Sequence, residues 1–393
     1  MKYFSLILFC FSLWCCKKEN QIPEQIKNEI QATKLKYAPD KRVRIFDITP
    51  IYSNNKLILR GETSMPEAKN ELVQKLGAHS FIDSIEILPS KELGSEQFGI
   101  ITIPVANMRS NPGHSSELSN QVLCGTVLRL FKLKGSWVYC QTPDDYLGWI
   151  DADAIFGCDS IKLADWYAAP KSIITQDQTY VLESPMQGAD IISPLSIGAI
   201  LKSENYNNEY LKMTFPDGRS GYIPNHHAQN LNEWKVNHGH GLTADVIIKN
   251  AHSFLGRPYL WGGTSGNGMD CSGFTKTVFF NNGFLLPRDA SQQVHVGLPV
   301  DTDTTFNSLQ SGDLLFFGRK ATAEAPEKIT HVAIYLGDGK IIHASGYVRV
   351  QSIRRGDPDF EESRLTSFVR ATRPISAPKE HGILAVNDVK WYR

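Results

Sequence analysis

At 393 residues the chain exceeds what one ordinary hydrophobic core accommodates, so several domains are expected. Its 41 basic residues balance 41 acidic ones, which excludes nucleic acid or another strongly charged polymer as the basis of its function. The histidines are scattered instead of grouped at metal-ligand spacings, so neither a metal nor an organic cofactor is implied.

The first element in chain order is an export signal. Lys2 precedes a largely apolar run of eleven residues, Phe4 to Trp14, too short to cross a bilayer and suited to the apolar segment of a secretory leader. The run ends in "LWCCKKEN". Bacterial lipoprotein signals place an aliphatic residue three before the lipidated cysteine and a small residue just before it. Leu13 and Cys15 meet that pattern for Cys16, whereas Ser12 and bulky Trp14 fit it less well for Cys15. Residues 1–15 are therefore expected to be removed and Cys16 to carry a lipid anchor, a plain secretory signal being the alternative. Residues 16–35, polar and rich in Lys, Glu and Gln, read as a membrane tether. The mature chain is expected as a monomer on the periplasmic side of the cell envelope, where disulfides are permitted. Cys124 and Cys140 fall on neighbouring expected strands and could pair, or serve as small buried hydrophobes.

Residues 36–98 read as a small α/β domain of unassigned role. "KLILRGETSMPEAKNELVQKL" is strand, turn and helix, with a helix start at Ser64–Glu67 and apolar positions at Leu72, Val73 and Leu76. "FIDSIEILPS" adds a strand. Residues 99–158 and 159–235 then repeat one plan of short alternating strands divided by turn dipeptides. The matching landmarks are "RSNP" and "LESP", the strand ends at Gly125 and Gly198, and "YLGWI" and "RSGYI".

From residue 236 to 393 the pattern is α+β, followed by a C-terminal tail. Thr243 caps a helix with Val246, Ile247, Ala251, Phe254 and Leu255 as its apolar positions. After the glycine-rich "YLWGGTSGNGMDCSG", Phe274, Val278 and Gly283 mark a second helix that starts at or near Cys271. There the helix dipole favours a thiolate, the nucleophilic form. The loop glycines, Gly262, Gly263, Gly266 and Gly268, would let a substrate backbone come close. Strands follow at "GDLLFFG", "HVAIYL", "KIIHAS" and "SFVRATRP".

"HVAIYLGDGKIIHASG" is a hairpin carrying two histidines, and its loop decides their relation. A two-residue loop at Asp338-Gly339 puts His331 and His343 on opposite faces. A three-residue loop, Gly337 to Gly339, puts His343 opposite Ala333 and diagonal to His331, about 7–8 Å away at Cα. The longer loop is preferred, because Gly339 can take its left-handed position and small Ala333 leaves room. Cys271, His331 and His343 would then supply nucleophile, base and orienting group.

These residues resemble the NlpC/P60 family of cysteine peptidases. "PYLWGG", "DCSGF", "LPRDASQQ", "GDLLFF", "HVAIYLGDG" and "IIHASG" appear in the family's order over about residues 240–375. The two β repeats are similar to bacterial SH3 domains. The resemblance implies a multidomain α+β chain: the small N-terminal α/β domain, two SH3-like β-barrels and a permuted papain-like catalytic domain. It implies catalysis by Cys271, His331 and His343, with Tyr259 lining the oxyanion region and Asp270 and Ser272 holding the substrate's peptide and carboxylate groups. A subgroup with two SH3-like domains cleaves the γ-D-glutamyl–diamino acid bond of free peptidoglycan peptides in wall recycling. There a glutamate and a tyrosine hold the free amine of an N-terminal L-alanine, and Glu117 and Tyr146 stand at those places, with Asp289 of "LPRD" retained nearby. A serine usual after that motif is replaced by Ala290, with Ser291 next. Action on intact cross-linked wall, or binding to wall without catalysis, are the alternative functions. Glu117 also admits a plainer assignment as a solvated loop charge, Tyr146 and Trp149 as barrel core, and Trp261 as packing beneath the loop.

Overall fold

A computed structural model describes residues 21–238, 241–302, 306–376 and 382–392. Cys16, its expected cleavage site and the start of the expected tether lie outside the described residues. Contacts divide the chain into two compact units, one of residues up to Lys41 with Ile45–Ile87, the other of Arg42–Arg44 with Leu88 onward.

The first unit begins with a helix, α1 (Glu24–Tyr37), over most of the stretch read as a tether. Its Ile26 and Ile30 recur at helical spacing and are buried with Leu57, Leu59, Ala68, Leu72 and Ile85. Three strands follow: β1 (Phe46–Ser53), β2 (Lys56–Thr63) and β3 (Ile82–Ile87). β1 runs antiparallel to β2, and β2 runs parallel to β3 through the crossover helix α2 (Pro66–Lys75). Pro66 is the first helical residue, as expected, and Met65 rather than Ser64 stands at the cap position. The small domain thus runs from about residue 24 to 87, not from 36 to 98.

Two seven-stranded antiparallel sheets open the second unit. The first contains β4 (Phe98–Ile101), β5 (Val105–Arg109), β6 (Leu118–Leu123), β7 (Val127–Lys134), β8 (Trp137–Gln141), β9 (Leu147–Asp151) and β10 (Ile155–Cys158). After α3 (Ser160–Ala168), the second contains β11 (Lys171–Ile174), β12 (Gln178–Leu182), β13 (Ile191–Ser196), β14 (Ile200–Asn205), β15 (Tyr210–Thr214), β16 (Ser220–Pro224) and β17 (Ala228–Asn230). Their spatial orders are β10-β4-β7-β8-β9-β5-β6 and β17-β11-β14-β15-β16-β12-β13. Element for element these are one topology, so the repeat read in the sequence is a repeat in space. Cys124 and Cys140 are unpaired thiols in different apolar clusters, which realises the second of the two expectations for them.

The C-terminal part contains α4 (Leu231–His238), α5 (Ala244–His252), the short pair β18 (Thr264–Ser265) and β19 (Gly268–Met269), α6 (Cys271–Phe280), β20 (Phe284–Leu285) and α7 (Ala290–Gln293). A six-stranded antiparallel sheet follows, ordered β21-β26-β22-β23-β24-β25. Its strands are β21 (Leu298–Val300), β22 (Leu314–Arg319), β23 (Lys328–Gly337), β24 (Lys340–Ser345), β25 (Tyr347–Ser352) and β26 (Phe368–Arg373), with α8 (Glu362–Thr366) before the last. Thr243 caps α5, whose Ile247 and Ala251 are buried while Val246 is exposed. Phe274 and Val278 of α6 share one apolar cluster with Val332, Ile334, Ile342 and Ala344 of the sheet. The segment read as a tail is packed: Val386, Val389 and Tyr392 are buried with Leu231 and Trp234 of α4.

The first sheet is docked on α6 by a buried ion pair, Lys276 Nζ to Asp144 Oδ2 at 2.5 Å. Replacing one partner strands the other charge in a site that excludes water. Lys276→Met is expected to lower unfolding free energy by about 3–5 kcal/mol, and adding Asp144→Leu to restore most of it. Urea unfolding of the three variants measures both changes.

Candidate active site

Cys271 is the first residue of α6, and Asp270 is its cap, accepting the Gly273 N–H at 2.7 Å. Both Asp270 oxygens are saturated by the protein. Oδ1 also meets Arg288 Nη1 at 3.1 Å, and Oδ2 accepts from Gly262 N–H at 3.0 Å and from Arg288 Nη2 at 2.6 Å. Burial alone would lower the Arg288 pKa, and the fork–fork contact with Asp270 outweighs it, so the guanidinium is held charged. Ser272 is buried too, and its hydroxyl accepts from Arg288 Nη1 at 2.9 Å. Asp270 and Ser272 were expected to hold substrate. In the structure their polar atoms fix the loop, the guanidinium and the helix start relative to one another.

The glycines before Cys271 also serve the protein's own packing. Gly262 has φ +78°, and a Cβ there would lie 2.2 Å from the Leu118 carbonyl oxygen of β6. A Cβ on Gly263 would meet the Gly268 carbonyl oxygen at 2.4 Å. At these two positions backbone lies against backbone, so their lack of a side chain serves the protein's own packing.

The hairpin register places His343 as expected. Ile334 pairs with Ile342 and Tyr335 with Ile341, the register that sets His343 across from Ala333. At the tip Gly337 pairs with Lys340, leaving a two-residue turn with φ +49° at Asp338 and +77° at Gly339. A bulge between Tyr335 and Gly337 absorbs the extra residue. The register of the longer loop is therefore reached by the shorter turn plus a bulge.

The two imidazoles meet edge to face, with His331 Nε2 2.7 Å from His343 Nδ1. His343 Nε2 lies 2.7 Å from Gln351 Oε1, and Gln351 Nε2 donates to Glu361 Oε2 at 3.2 Å. This chain has one consistent protonation pattern. An amide oxygen only accepts, so His343 Nε2–H donates to it and Nδ1 is bare. His331 Nε2–H then donates to that nitrogen, and His331 Nδ1 keeps the lone pair that a base needs.

The backbone at Val332, the residue after His331, and at Ser272 favours the charged form of the Cys271 sulfur. Burial still raises the thiol to about 11, so desolvation overrides the helix terminus and the resting sulfur is protonated, contrary to the expected thiolate. Burial, then Arg364, then His343 hold His331 well below the ordinary 6.5, and burial brings His343 to about 4. Tyr259, half-buried nearby, is pushed up to about 12, chiefly by burial, so its hydroxyl stays a donor.

A second cluster forms where the first sheet meets this domain. Thr264 donates its hydroxyl to the Gln121 carbonyl at 2.8 Å, tying β18 to β6. Glu117, exposed just before β6, accepts from Trp261 Nε1 at 2.8 Å. Trp261 is 60% exposed and so does not pack beneath its loop. Tyr146 donates its hydroxyl to Asp289 Oδ2 at 3.2 Å, and Arg42 bridges Asp289 and Ser291 at 2.8 Å each. Ala290 is buried in the domain core. Glu117 and Tyr146 therefore belong to two contacts of the first sheet with the C-terminal domain. Among the described residues no group of three or more His, Cys, Asp or Glu side chains converges to hold a metal.

Residues 256–370 match the NlpC/P60 family and residues 108–155 the bacterial dipeptidyl-peptidase SH3 domain. Over 235 residues the chain is 47% identical to the γ-D-glutamyl-L-lysine dipeptidyl-peptidase of Bacillus subtilis, spanning 58% of this chain and 72% of that one. The chain belongs to the NlpC/P60 peptidase family. Dipeptidyl-peptidase 6 of Lysinibacillus sphaericus is 28% identical over 279 residues, covering 68% of this peptidase and 96% of that one. An NlpC/P60 family protein from Bacillus cereus shares the fold, with a TM-score of 0.58 and 23% identity over 71% of this chain and 99% of the other.

Sequence reasoning missed Arg288, Gln351, Glu361, Arg364 and Arg42 in this peptidase. "LPRD" contained Arg288, but nothing in the spacing said that the guanidinium turns inward onto Asp270. Gln351 could have been found by carrying the hairpin register one strand further. His343 pairs with Arg349, so Gln351 is the diagonal neighbour on the same side.

Two outcomes follow for the peptidase reaction. Gln351→Leu removes the acceptor that sets the imidazole tautomers and is expected to lower kcat roughly 10- to 100-fold with KM little changed, as steady-state kinetics would register. Because His331 is held below 6.5, its Nδ1 stays unprotonated as pH falls through that value. A pH profile should therefore retain most of kcat/KM at pH 6, and half-loss at or above 6.5 would contradict the assignment.

Proposed function

We propose that this peptidase cleaves the γ-D-glutamyl–diamino acid bond of free peptidoglycan peptides that begin with L-alanine. The observation that carries the reading is the His331–His343–Gln351 chain beside a helix-start cysteine, with an exposed acid, Glu117, next to the loop before that cysteine. The name of the relative from Bacillus subtilis supports the bond class. Glu117 supports the free peptide: a carboxylate attracts an ammonium and gains nothing from an amide-linked stem. Trp261 holds that carboxylate in place, and Asp289 with the Tyr146 hydroxyl would add a second acceptor.

In the proposed reaction His331 Nδ1 takes the Cys271 proton as sulfur attacks the γ-carbonyl carbon of D-glutamate. The neutral resting pair makes the proton transfer part of the attack instead of a prior equilibrium. The Tyr259 hydroxyl donates to the oxyanion. The imidazolium returns its proton to the leaving amine of the diamino acid, and water, deprotonated by His331, hydrolyses the thioester. The catalytic domain would have the permuted papain-like arrangement, and the matching strand orders support a second SH3-like domain in residues 171–230. We also propose that Cys16 is lipidated and anchors the protein in the envelope, which incorporation of labelled palmitate, lost in Cys16→Ser, would test.

The soluble form lacking residues 1–16 is expected to release diaminopimelate from L-Ala-γ-D-Glu-diaminopimelate and to leave the N-acetylated peptide largely uncut. Cys271→Ala should abolish release while leaving the fold intact, and Glu117→Gln should chiefly raise KM. Equal cleavage of both peptides would remove Glu117 from its role, and no cleavage of either would defeat the peptidase substrate assigned here.

A further inference from the structure

Two guanidinium groups on the histidine-bearing side of the sheet have no counter-ion. Arg349 of β25 pairs in register with His343, and paired residues of an antiparallel ladder point to one face. Arg364 of α8 reaches the same side. Its Nη2 donates to Ser345 Oγ at 3.1 Å, and its Cζ lies 5.8 Å from the centre of the Phe317 ring, which itself lies 5.8 Å from the His331 ring. Phe317 pairs with His331. Arg349 lies over the Tyr347 ring at 5.4 Å. Among the described residues neither guanidinium forms an ion pair, and the Nε of each is buried without a hydrogen-bond partner.

The acid that weighs on Arg364 is Glu361, and it is occupied. Its Oε1 accepts from Ser363 at 2.6 Å and its Oε2 from Gln351 at 3.2 Å. Arg364 is also close enough to bias Cys271, Tyr259, His331 and His343. Two cations that repel one another beside a buried nucleophile, each with a donor out of water and unused, form a receptor for anionic groups.

The chemistry of the site says which half of the substrate brings the anion. His331 must hand its proton to the leaving amine, so the leaving residue emerges on the histidine side of Cys271, where Arg364 and Arg349 lie. Glu117, the acid assigned to the amine end, is held by Trp261 in the other cluster.

We propose that Arg364, seconded by Arg349, binds the carboxylates of the leaving diamino acid, so that a residue with a carboxylate on its side chain, as in diaminopimelate, is taken in preference to lysine. The inference rests on the γ-D-glutamyl peptidase reading and names its leaving group. A guanidinium presents paired N–H donors to a carboxylate, and a lysine side chain ending in an ammonium would meet the same pair as a like charge.

The test uses L-Ala-γ-D-Glu peptides ending in diaminopimelate, in lysine and in lysine carboxamide, which carry two, one and no carboxylates on the leaving residue. In the wild type kcat/KM should fall about tenfold at each step, and in Arg364→Gln the three values should converge to within about threefold. A fourth peptide, with the D-glutamate carboxylate amidated, should lose the same factor in both proteins. An unchanged ladder in Arg364→Gln overturns the proposal, and so does a penalty that vanishes only for the fourth peptide, which would assign the arginine to the acylating half. Alkylation of Cys271 gives a readout independent of peptide cleavage: the rate ratio of iodoacetate to iodoacetamide should drop about fivefold in Arg364→Gln and much less in Arg364→Lys. Should that ratio drop while the wild type cleaves none of the peptides, the reading of the preceding section fails and the occupant assigned here falls with it. A ratio unmoved by Arg364→Gln while peptides are cleaved refutes the anion site alone.

Discussion

The buried contact between Asp270 and Arg288 is the constraint on which the site depends. Three separate pieces of chain converge on one carboxylate: the start of α6 through the Gly273 N–H and the Ser272 hydroxyl, the turn at Gly262, and the guanidinium after Pro287. An aspartate this deeply enclosed tolerates ionisation only because donors meet both oxygens. Because those donors come from two loops and a helix, the same contact that satisfies the charge fixes where the sulfur stands. The loop held by Asp270 is also the loop that leans on β6, so the position of Glu117 is set through Gly262 and Trp261 by the carboxylate that positions the nucleophile.

The base is built by a different device, a ladder of hydrogen bonds running across three strands and into a helix cap. Polarity propagates from its far end. Glu361 can only accept, which orients the Gln351 amide, which selects the His343 tautomer, which leaves His331 Nδ1 bare. No charge of full strength touches either imidazole, and burial keeps both neutral. Such a chain orients the base without raising its pKa, unlike a carboxylate placed directly against the ring. The resting site is consequently an uncharged thiol and an uncharged imidazole.

The helix-start position of Cys271 and the histidine pair with its shared face were legible because each depends on local pattern. A helix start is marked by its cap, and a hairpin register is marked by its turn and by parity along two strands. The means by which the register is reached was not legible, since a bulge at Leu336 with a two-residue turn and a three-residue loop give the same pairing below the tip. Burial of Cys271 was also beyond the local pattern. Helix position argued for a thiolate, and the tertiary packing of α6 over β23 and β24 decided for the thiol. The glycines are ambiguous for a related reason: a glycine records that something comes close to the backbone without saying whether it is substrate or protein. Helix α1 was hidden in a polar stretch whose few buried residues, Ile26 and Ile30, gain meaning only when α2 and the sheet cover them.

Arg42 and Arg364 illustrate the remaining limit, because they come from opposite ends of the sequence and no motif contains either. Arg42 neutralises Asp289 at the edge of one cluster, whereas Arg364 stands without a counter-ion above the histidines. The asymmetry follows from what surrounds them. Asp289 offers Arg42 an oxygen that Tyr146 already shares, while the acid near Arg364 has its oxygens turned to Gln351 and Ser363 in order to hold the base. Satisfying the tautomer chain thus removes the one carboxylate that could have quenched the arginine. Orientation of the imidazoles and an unpaired guanidinium beside them are two consequences of a single allocation of the Glu361 oxygens.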